Sequence, residues 1–404
     1  MSDGNELLAA AGRDAERLVE LRRRVHVNPE LGLVNPDTQA LILGELERLG
    51  ISGARSGEGC SSVVADIVGE GKTVEGQRPA GVVALRADTD ALPMTEHSGV
   101  DFSSERDGCM HACGHDAHVA MLLGAASLLQ ERRADFAGTV RLMFQPGEEG
   151  HWGAVVMLDE GALEGVDAAF AIHVDPSSPS RAVSWREGTF MASADIFEIH
   201  LDGRGGHASV PHLSADPIPG IGPIVDGLSH AMARETDPYD RVVFSVTRVE
   251  AGSTFNVIPP RATLQGTIRC LSDDGRRRAH DQLRRVVAGV AAARGLTAEV
   301  DIAEGYGPTV NDGYAARLVA GVAGGLGLRS IEMPGPMMGA EDFSYVLNRV
   351  PGAMAFLGCR VEDGGPLHSD RMKLDEGVLP VGAALHCAVA LAMLADGRQL
   401  FRAP

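Results

Sequence analysis

Positive charge is scarce in this sequence of 404 residues. Lys and Arg total 36 against 55 Asp and Glu, which gives a formal net charge of −19. Nucleic acids and anionic membrane surfaces are polyanions, so both would repel such a chain. The sequence therefore predicts no nucleic-acid partner and no membrane partner. It leaves a small-molecule substrate open, because a few residues set the local field inside a cleft.

Cysteines and long apolar runs are also few. Six cysteines are too sparse and too irregularly spaced for a disulfide framework in a chain of this length. The first residues lack the basic start and apolar run of a secretory signal, and no apolar stretch is expected to reach the roughly 18 residues of a membrane span. These absences predict a cytoplasmic protein with reduced thiols, at least one of which could be a metal ligand.

The length predicts two domains, because it exceeds what one ordinary core supports. Leu18, Leu21 and Val25 recur at helical spacing, and the apolar, proline-free segment Ala117–Leu129 is typical of a buried helix. Apolar, β-branched runs predict strands at Ser62–Val68, Gly81–Ala87, Thr139–Phe144 and Ala168–Val174. Strands that alternate with helices indicate an α/β domain with a mixed, largely parallel sheet flanked by helices.

The pattern changes near Thr189 and changes back after Tyr306. Between them, alternation of period two predicts antiparallel strands, separated by two helical stretches, at Asp195–Asp202, Arg241–Val249 and Arg261–Leu271. A helix, an apolar run and a final helix near Val378–Ala395 follow. We therefore expect an α+β domain at residues 188–304, inserted into an α/β domain made of residues 1–187 and 305–404.

The densest group of chemically active side chains is the segment MHACGHDAH, from Met110 to His118. Thiolate and imidazole both bind zinc and similar divalent ions, and the spacing of Cys113 and His115 brings two donors together in a turn before a predicted helix. The alternative is a free thiol beside polar turn residues. For His111 and His118, structural roles stand beside metal ligation.

A second group, FQPGEEG, follows a predicted strand, where α/β proteins place their sites. Adjacent carboxylates point in different directions, so one of Glu148 and Glu149 can hold a metal ion while the other faces a bound water as general base. The alternative is a solvated acidic loop.

Three further positions carry weaker signals. In RADTDALP, Asp88 could orient a ligand histidine. The alternative is that the aspartates of this segment cap the next turn, which we favour for Asp90. His173 ends a predicted strand and His368 precedes the last helix. Taken alone, each of these histidines would more often be structural than a ligand.

Taken in order along the chain, the segments LRRRVHVNPELG, RADTDALP, MHACGHDAH, FQPGEEG, GGHASVPH, FNVIP, MGAEDFS and PLHS closely resemble the dimetal aminoacylase–carboxypeptidase family. The match is to the branch of hippurate hydrolase, N-acyl-amino-acid amidohydrolases and indoleacetyl-amino-acid hydrolases. It runs from about residue 18 to 395, and MHACGHDAH combined with FQPGEEG is highly specific.

The resemblance implies a metal-dependent amidohydrolase that cleaves N-acyl amino acids to a carboxylic acid and a free amino acid. It implies two divalent metal ions per subunit (Zn, Mn, Co or Ni) and Glu148 as the base that takes a proton from water. The implied ligands of the two ions are Cys113, His115, Glu149, His173 and His368.

The resemblance also implies that the inserted domain is a lid and a homodimer interface. His207 of this domain would reach the active site of the neighbouring subunit, where it would stabilise the oxyanion. Asn256 and Arg269 match lid positions that hold polar groups of the substrate, with Arg269 a candidate for its carboxylate. A solvent-facing strand arginine is the alternative for Arg269. Glu341 lies in a family motif without an assigned role.

Three other interpretations are kept. The enzyme could be a dipeptidase or carboxypeptidase of the same family, a metal-binding protein that has lost catalysis, or a cysteine hydrolase with Cys113 as nucleophile. Aromatic residues make up only 4% of the chain, but one or two would suffice to hold an aromatic acyl group.

Overall fold

A computed structural model of the protein describes residues 2–71 and 81–395. The α-helices in these residues are α1 Ser2–Arg13, α2 Ala15–Val27, α3 Pro36–Arg48, α4 His115–Glu131, α5 Gly153–Asp159, α6 Ile218–Glu235, α7 Asp273–Ala293, α8 Gly313–Gly325, α9 Ser344–Leu347 and α10 Leu379–Ala395. The strands are β1 Arg55–Ser56, β2 Val63–Val68, β3 Val82–Asp88, β4 Thr139–Gln145, β5 Ala168–Asp175, β6 Ala182–Trp185, β7 Gly188–Met191, β8 Asp195–Asp202, β9 Gly206–His207, β10 Val242–Ala251, β11 Val257–Ile258, β12 Arg261–Cys270, β13 Thr297–Glu304, β14 Thr309–Asn311, β15 Arg329–Glu332 and β16 Gly352–Gly358.

The chain forms two compact units. Unit 1 consists of the segments Met1–Phe190, Val310–Gly335 and Asp342–Pro404, and unit 2 of Met191–Thr309 and Pro336–Glu341. The sequence predicted the insertion at 188–304, without the short segment that ends at Glu341. That segment belongs to unit 2 because the backbone N–H of Ala192 donates to the carbonyl oxygens of Met337 and Gly339, at 3.0 and 2.9 Å.

Unit 1 is built on an eight-stranded sheet in the order β1-β2-β4-β3-β5-β16-β6-β15. The four central strands β4, β3, β5 and β16 are parallel, whereas β2 and β6 run antiparallel to their central neighbours. The central strands are almost wholly buried, as expected for parallel strands covered on both faces. The predicted mixed, largely parallel sheet flanked by helices is thus confirmed.

Helices α4 and α10 form the core of unit 1 with this sheet. They approach so closely that a Cβ at Gly124 would lie 2.8 Å from Cβ of Ala383. One stretch does reach the length of a membrane span, contrary to the expectation from the sequence. A 3-10 turn at Glu376–Val378 runs directly into α10, and together they make a 20-residue apolar helical segment, Glu376–Ala395, which is mostly buried inside the protein, as a core helix would be.

Unit 2 has a four-stranded antiparallel sheet in the order β10-β12-β8-β13. Phe197, Ile199 and Leu201 of β8 are fully buried against helices α6 and α7, while Ile196 on the opposite face is exposed. This alternation is the period-two pattern seen in the sequence. Unit 2 is therefore the additional α+β module, inserted in the chain between β7 and β14.

Candidate metal centre

The candidate centre begins where parallel strands of unit 1 end. Strands β3, β4 and β5 are neighbours in the sheet, and Asp88 at the end of β3 lies in register with Gln145 at the end of β4. The loop that carries Glu148 and Glu149 follows β4 directly, and His173 lies near the carboxyl end of β5. The carboxyl ends of parallel strands share one edge of the sheet, which brings these side chains together.

Helix α4 places the next two donors. Its N-cap is Gly114, which has a positive φ of 84°. A Cβ at this position would lie 2.4 Å from Cγ2 of Val174, so both the backbone conformation and the close packing require glycine. The turn brings Sγ of Cys113 to 3.3 Å from Nε2 of His173 and starts the helix at His115.

Two of the predicted ligand histidines, His115 and His173, have a defined tautomer. Nδ1 of His173 lies 2.7 Å from the carbonyl oxygen of Val174, and Nδ1 of His115 lies 2.8 Å from the carbonyl oxygen of Asp90. Because a carbonyl oxygen only accepts, both Nδ1 atoms carry a proton, so Nε2 is the atom of each ring that would coordinate a metal ion. Among the described residues, Nε2 of His115 has no hydrogen-bond partner although the ring is fully buried.

The other side of the centre comes from Glu149 and His368. Nε2 of His368 lies 3.2 Å from Oε1 of Glu149. The backbone of His368 has a φ of 61° and donates its N–H to the carbonyl oxygen of Ala112 at 2.9 Å, next to Cys113. Such a left-handed conformation is uncommon outside glycine and is found preferentially at functional sites.

The donors fall into overlapping groups with room for more than one ion. In each group the ligand atoms lie within 4.8 Å of one another; three of the groups are Cys113 with His115 and His173, Cys113 with Glu149 and His368, and His115 with Glu148 and Glu149. Cys113 and His115 each occur in two of these three groups, so the groups share donors. The mixture of sulfur, nitrogen and oxygen donors fits divalent transition metals.

The electrostatics of the metal-free residues also fit a cation. Burial and the charge of Glu149 raise the pKa of Cys113 well above its usual value, so a thiolate here needs a compensating positive ion. Burial also lowers the pKa of His173 to about 3, which keeps this imidazole neutral and able to coordinate. Burial alone would raise the pKa of Asp88, but the charge of Arg86 holds it well below its usual value.

Two aspartates contact other residues of the centre. Asp88, which was expected to orient a ligand histidine, accepts from Nδ1 of His118 at 2.5 Å and lies 3.6 Å from Nε2 of His115. Asp90 caps a turn, as favoured, but the turn is the acidic loop, because its carboxylate accepts from the backbone N–H groups of Glu148 and Glu149 at 2.9 and 3.0 Å.

The two histidines without an assigned role are both buried. His118 uses both ring nitrogens, since Nε2 accepts from the backbone N–H of Val174 at 2.9 Å while Nδ1 donates to Asp88. His111 has no hydrogen-bond partner on either ring nitrogen among the described residues, and burial lowers its pKa to about 3. Neither belongs to the groups around Cys113, but His118 forms a further candidate group with Asp88 and His115.

The sequence did not single out a buried polar network behind helix α4. Oδ2 of Asp116, the residue after His115, accepts from Nε of Arg22 at 2.9 Å and from Nδ1 of His26 at 2.8 Å. Burial lowers the pKa of His26, but the charge of Asp116 outweighs burial and raises this pKa to about 9. All three residues lie within the segments LRRRVHVNPELG and MHACGHDAH. Charged residues in helices that are otherwise buried were the feature of the sequence that could have indicated this network.

The three remaining predicted site residues lie in unit 2. His207 of β9 pairs with Val257 of β11, and the backbone N–H of Ala208 donates to the carbonyl oxygen of Asn256 at 3.1 Å, so His207 and Asn256 are close together. Arg269 lies on β12, and partial burial lowers its pKa. Glu341 is buried, and its carbonyl oxygen accepts from Oγ1 of Thr309 at 3.4 Å.

A buried cysteine, three histidines and two glutamates at the carboxyl edge of a parallel sheet define a metal-dependent hydrolase. Comparison with known proteins agrees: residues 84–392 match the family described as peptidase family M20/M25/M40. Thermostable carboxypeptidase 2 of Saccharolobus solfataricus is 40% identical over 93% of this chain and 94% of its own length. IAA-amino acid hydrolase ILR1-like 4 of Arabidopsis thaliana is 38% identical, over 94% and 86% respectively. N-acetylcysteine deacetylase of Bacillus subtilis is 37% identical, over 94% and 97%.

A solved structure gives the same result. The crystal structure of a dinuclear metal-binding peptidase of the M20 family from Bacillus subtilis has a TM-score of 0.83 and 34% identity, and covers 95% of this chain and 99% of that one. The chain belongs to peptidase family M20/M25/M40 and is a metal-dependent amidohydrolase.

Proposed function

We propose that the protein hydrolyses N-acyl amino acids to a carboxylic acid and a free amino acid. The observation that carries the proposal is the convergence of Cys113, His115, Glu149, His173 and His368 within unit 1, with Glu148 beside them. Relatives named N-acetylcysteine deacetylase and IAA-amino acid hydrolase support this substrate class.

The five donors would hold two divalent ions, which when bound polarise an amide carbonyl and lower the pKa of water. Glu148 is nearly buried, and its ligand atoms lie within 4.8 Å of those of His115 and Glu149. The backbone N–H of Glu148 donates to the carboxylate of Asp90 at 2.9 Å, which fixes the backbone at this residue. Glu148 is thereby positioned to take a proton from the attacking water and to pass it to the departing amine.

We extend the proposal to the residues of unit 2. Arg269 would bind the carboxylate of the amino acid, and Asn256 another polar group of the substrate. His207 of the partner subunit would stabilise the oxyanion in a homodimer. Support comes from two apolar residues that flank Asn256: Phe255 is 95% exposed and Val257 49% exposed. Such exposed apolar surface commonly marks an interface.

The donor set accepts Zn, Mn, Co or Ni, and we propose that the native pair comes from this group. Zinc or manganese is the first choice for testing. All six cysteines are unpaired and buried, which supports our placement of the protein in the cytoplasm.

The test is release of free amino acid from a panel of N-acetyl, N-benzoyl and indoleacetyl amino acids and simple dipeptides. It is run with added Mn²⁺ or Zn²⁺ and again in EDTA. We expect metal-dependent cleavage of acyl amino acids and loss of turnover by several orders of magnitude in Glu148→Gln. Near-normal turnover of that variant would remove Glu148 from the role of base.

A second candidate is a carboxypeptidase or dipeptidase, which the relative named thermostable carboxypeptidase 2 favours. Cleavage of the dipeptides alone would establish it. Binding of both metal ions without cleavage of any substrate would favour a catalytically silent metal-binding protein. Activity that survives EDTA but not thiol alkylation would point to Cys113 as a nucleophile.

A further inference from the structure

Arg86 is a buried guanidinium between two buried carboxylates. Its side chain is 1% exposed, and those of Asp88 and Asp342 are 0% exposed. Nη1 donates to Oδ2 of Asp88 at 2.6 Å and Nη2 to Oδ1 of Asp342 at 2.9 Å, while Nε donates to Oε1 of Gln145 at 3.0 Å. Removing one partner of such a group leaves a buried charge poorly compensated.

Asp342 accepts further hydrogen bonds besides the one from Arg86. Both its oxygens accept from Nε2 of Gln145 at 2.8 Å, and Oδ2 accepts from the backbone N–H of Ala154 at 2.9 Å. Ala154 lies in the first turn of α5, at the end of the loop that carries Glu148 and Glu149. Asp342 therefore connects the end of that loop with the ends of strands β3 and β4.

The same network reaches the candidate centre from the other side. Asp88, held by Arg86, accepts from His118 at 2.5 Å and lies 3.6 Å from Nε2 of His115. The contacts of Asp342 thus lead by one route, through Arg86 and Asp88, to His115. By a second route, through Ala154 and the acidic loop, they lead to Glu149.

We propose that Asp342 is a positioning residue of the metal centre. It sets the distance between the Asp88 side of the centre and the loop of Glu148 and Glu149, through Arg86 and the start of α5. This inference rests on the proposed function and adds to it a residue outside the predicted ligand set. Loss of such an outer contact weakens metal affinity or turnover by about 10- to 100-fold in comparable sites.

The experiment compares Asp342→Asn with a matched variant, Asp195→Asn. Asp195 is a buried aspartate of unit 2 that accepts from Nε of Arg276 at 2.9 Å, from the backbone N–H of Gly305 at 3.0 Å and, at 2.7 Å, is bonded to His280. None of these partners belongs to the candidate centre. Each full-length variant is titrated with Co²⁺, followed by visible absorption and calorimetry, and kcat and KM are measured with the best acyl amino acid.

We expect Asp342→Asn to weaken Co²⁺ binding and to lower kcat by about tenfold or more, with KM nearly unchanged and an altered cobalt spectrum. Asp195→Asn should lose thermal stability but keep the metal affinity and spectrum of the unaltered protein. Equal metal affinity and kcat in Asp342→Asn and the unaltered protein would overturn the inference, as would equal losses of both in the two variants.

If Asp342→Asn does not fold, Gln145→Met serves instead, because it removes both bonds from Gln145 to Asp342, together with the bond from Arg86 to Gln145, and keeps every charge. A smaller shift in Co²⁺ affinity in the same direction would support the inference, and an unchanged affinity would overturn it. Failure of the unaltered protein to bind two ions or to cleave any acyl amino acid would instead defeat the proposed function.

Discussion

Replacing Asp90 by alanine should separate the two sides of the metal centre. The carboxylate of Asp90 accepts from the backbone N–H groups of Glu148 and Glu149. Nδ1 of His115 donates to the carbonyl oxygen of Asp90 at 2.8 Å and lies farther from the carboxylate, at 3.5 Å. Alanine keeps the carbonyl but removes both side-chain acceptors. The acidic loop should therefore loosen while His115 keeps its orientation.

The magnitude follows from the two N–H groups left without a partner. A buried donor that loses its acceptor costs about 1–3 kcal/mol, so the two donors together should lower the free energy of unfolding of Asp90→Ala by about 2–6 kcal/mol. Asp90→Asn keeps one acceptor and should lose about half as much. Asp312→Ala is the control, because Asp312 caps helix α8 by accepting from Ala315 at 2.8 Å outside the centre; its loss should cost about 1 kcal/mol.

The assay is denaturant unfolding of the metal-free protein together with calorimetric titration of Zn²⁺. For Asp90→Ala we expect an ion to bind still at Cys113, His115 and His173, and the ion that needs Glu149 to bind about 10- to 100-fold more weakly. Two ions bound at unchanged affinity, with stability lowered no more than in Asp312→Ala, would refute the assignment of Asp90 as the residue that holds the acidic loop.

Three further outcomes are expected. Gly153→Ala should abolish two-ion binding in a Zn²⁺ titration, because its Cβ would lie 1.6 Å from the carbonyl oxygen of Pro146 and the acidic loop would have to move; normal stoichiometry would contradict this. His386 lacks a partner on both ring nitrogens among the described residues, and burial lowers its pKa from 6.5 to about 3. The unfolded chain binds this proton more readily than the folded protein, so the free energy of unfolding falls as the pH drops below 6.5. In denaturant titrations at pH 5, His386→Leu should recover about 2 kcal/mol of it. The same pH dependence of stability in the variant and the unaltered protein would contradict this. Desolvation raises the pKa of Asp195, but hydrogen bonds from His280 and Arg276 outweigh it and lower this pKa from 3.8 to about 2. The free energy of unfolding of unit 2 should therefore fall by about 2 kcal/mol as the pH falls from 3.8 through 2. Asp195→Asn should lack this fall when unfolding is followed by hydrogen exchange.

The sequence predicted the strands and helices whose apolar pattern is regular. Strand β8 was expected at Asp195–Asp202 and begins and ends there, because its inward and outward residues alternate without interruption. Strand β13 was not predicted: its residues are mostly exposed, and its alternation is obscured by Ala298 and Ala303. Short strands such as β6 and β15 carry too few residues to show any period.

For the site, the sequence identified the donors by residue type and motif, and the structure brings those of unit 1 together. It could not indicate which group each donor contacts. The residue type of Asp88 could not indicate which histidine it contacts, because His118, one helical turn after His115, presents its ring to the same carboxylate. The contacts on which we base the proposed role of Asp342 could not be predicted, because its partners Arg86, Gln145 and Ala154 all lie far from it along the chain.

The position of β16 has a consequence for synthesis of the protein on the ribosome. This strand is made from residues Gly352–Gly358, yet it lies between β5 and β6 in the sheet. Until it emerges, β5 has an open edge of unpaired backbone groups, which can pair with other chains. His368 emerges later still. The edge of β5 therefore stays exposed while the whole of unit 2 is synthesised, and we expect the growing chain to depend on chaperones during that interval.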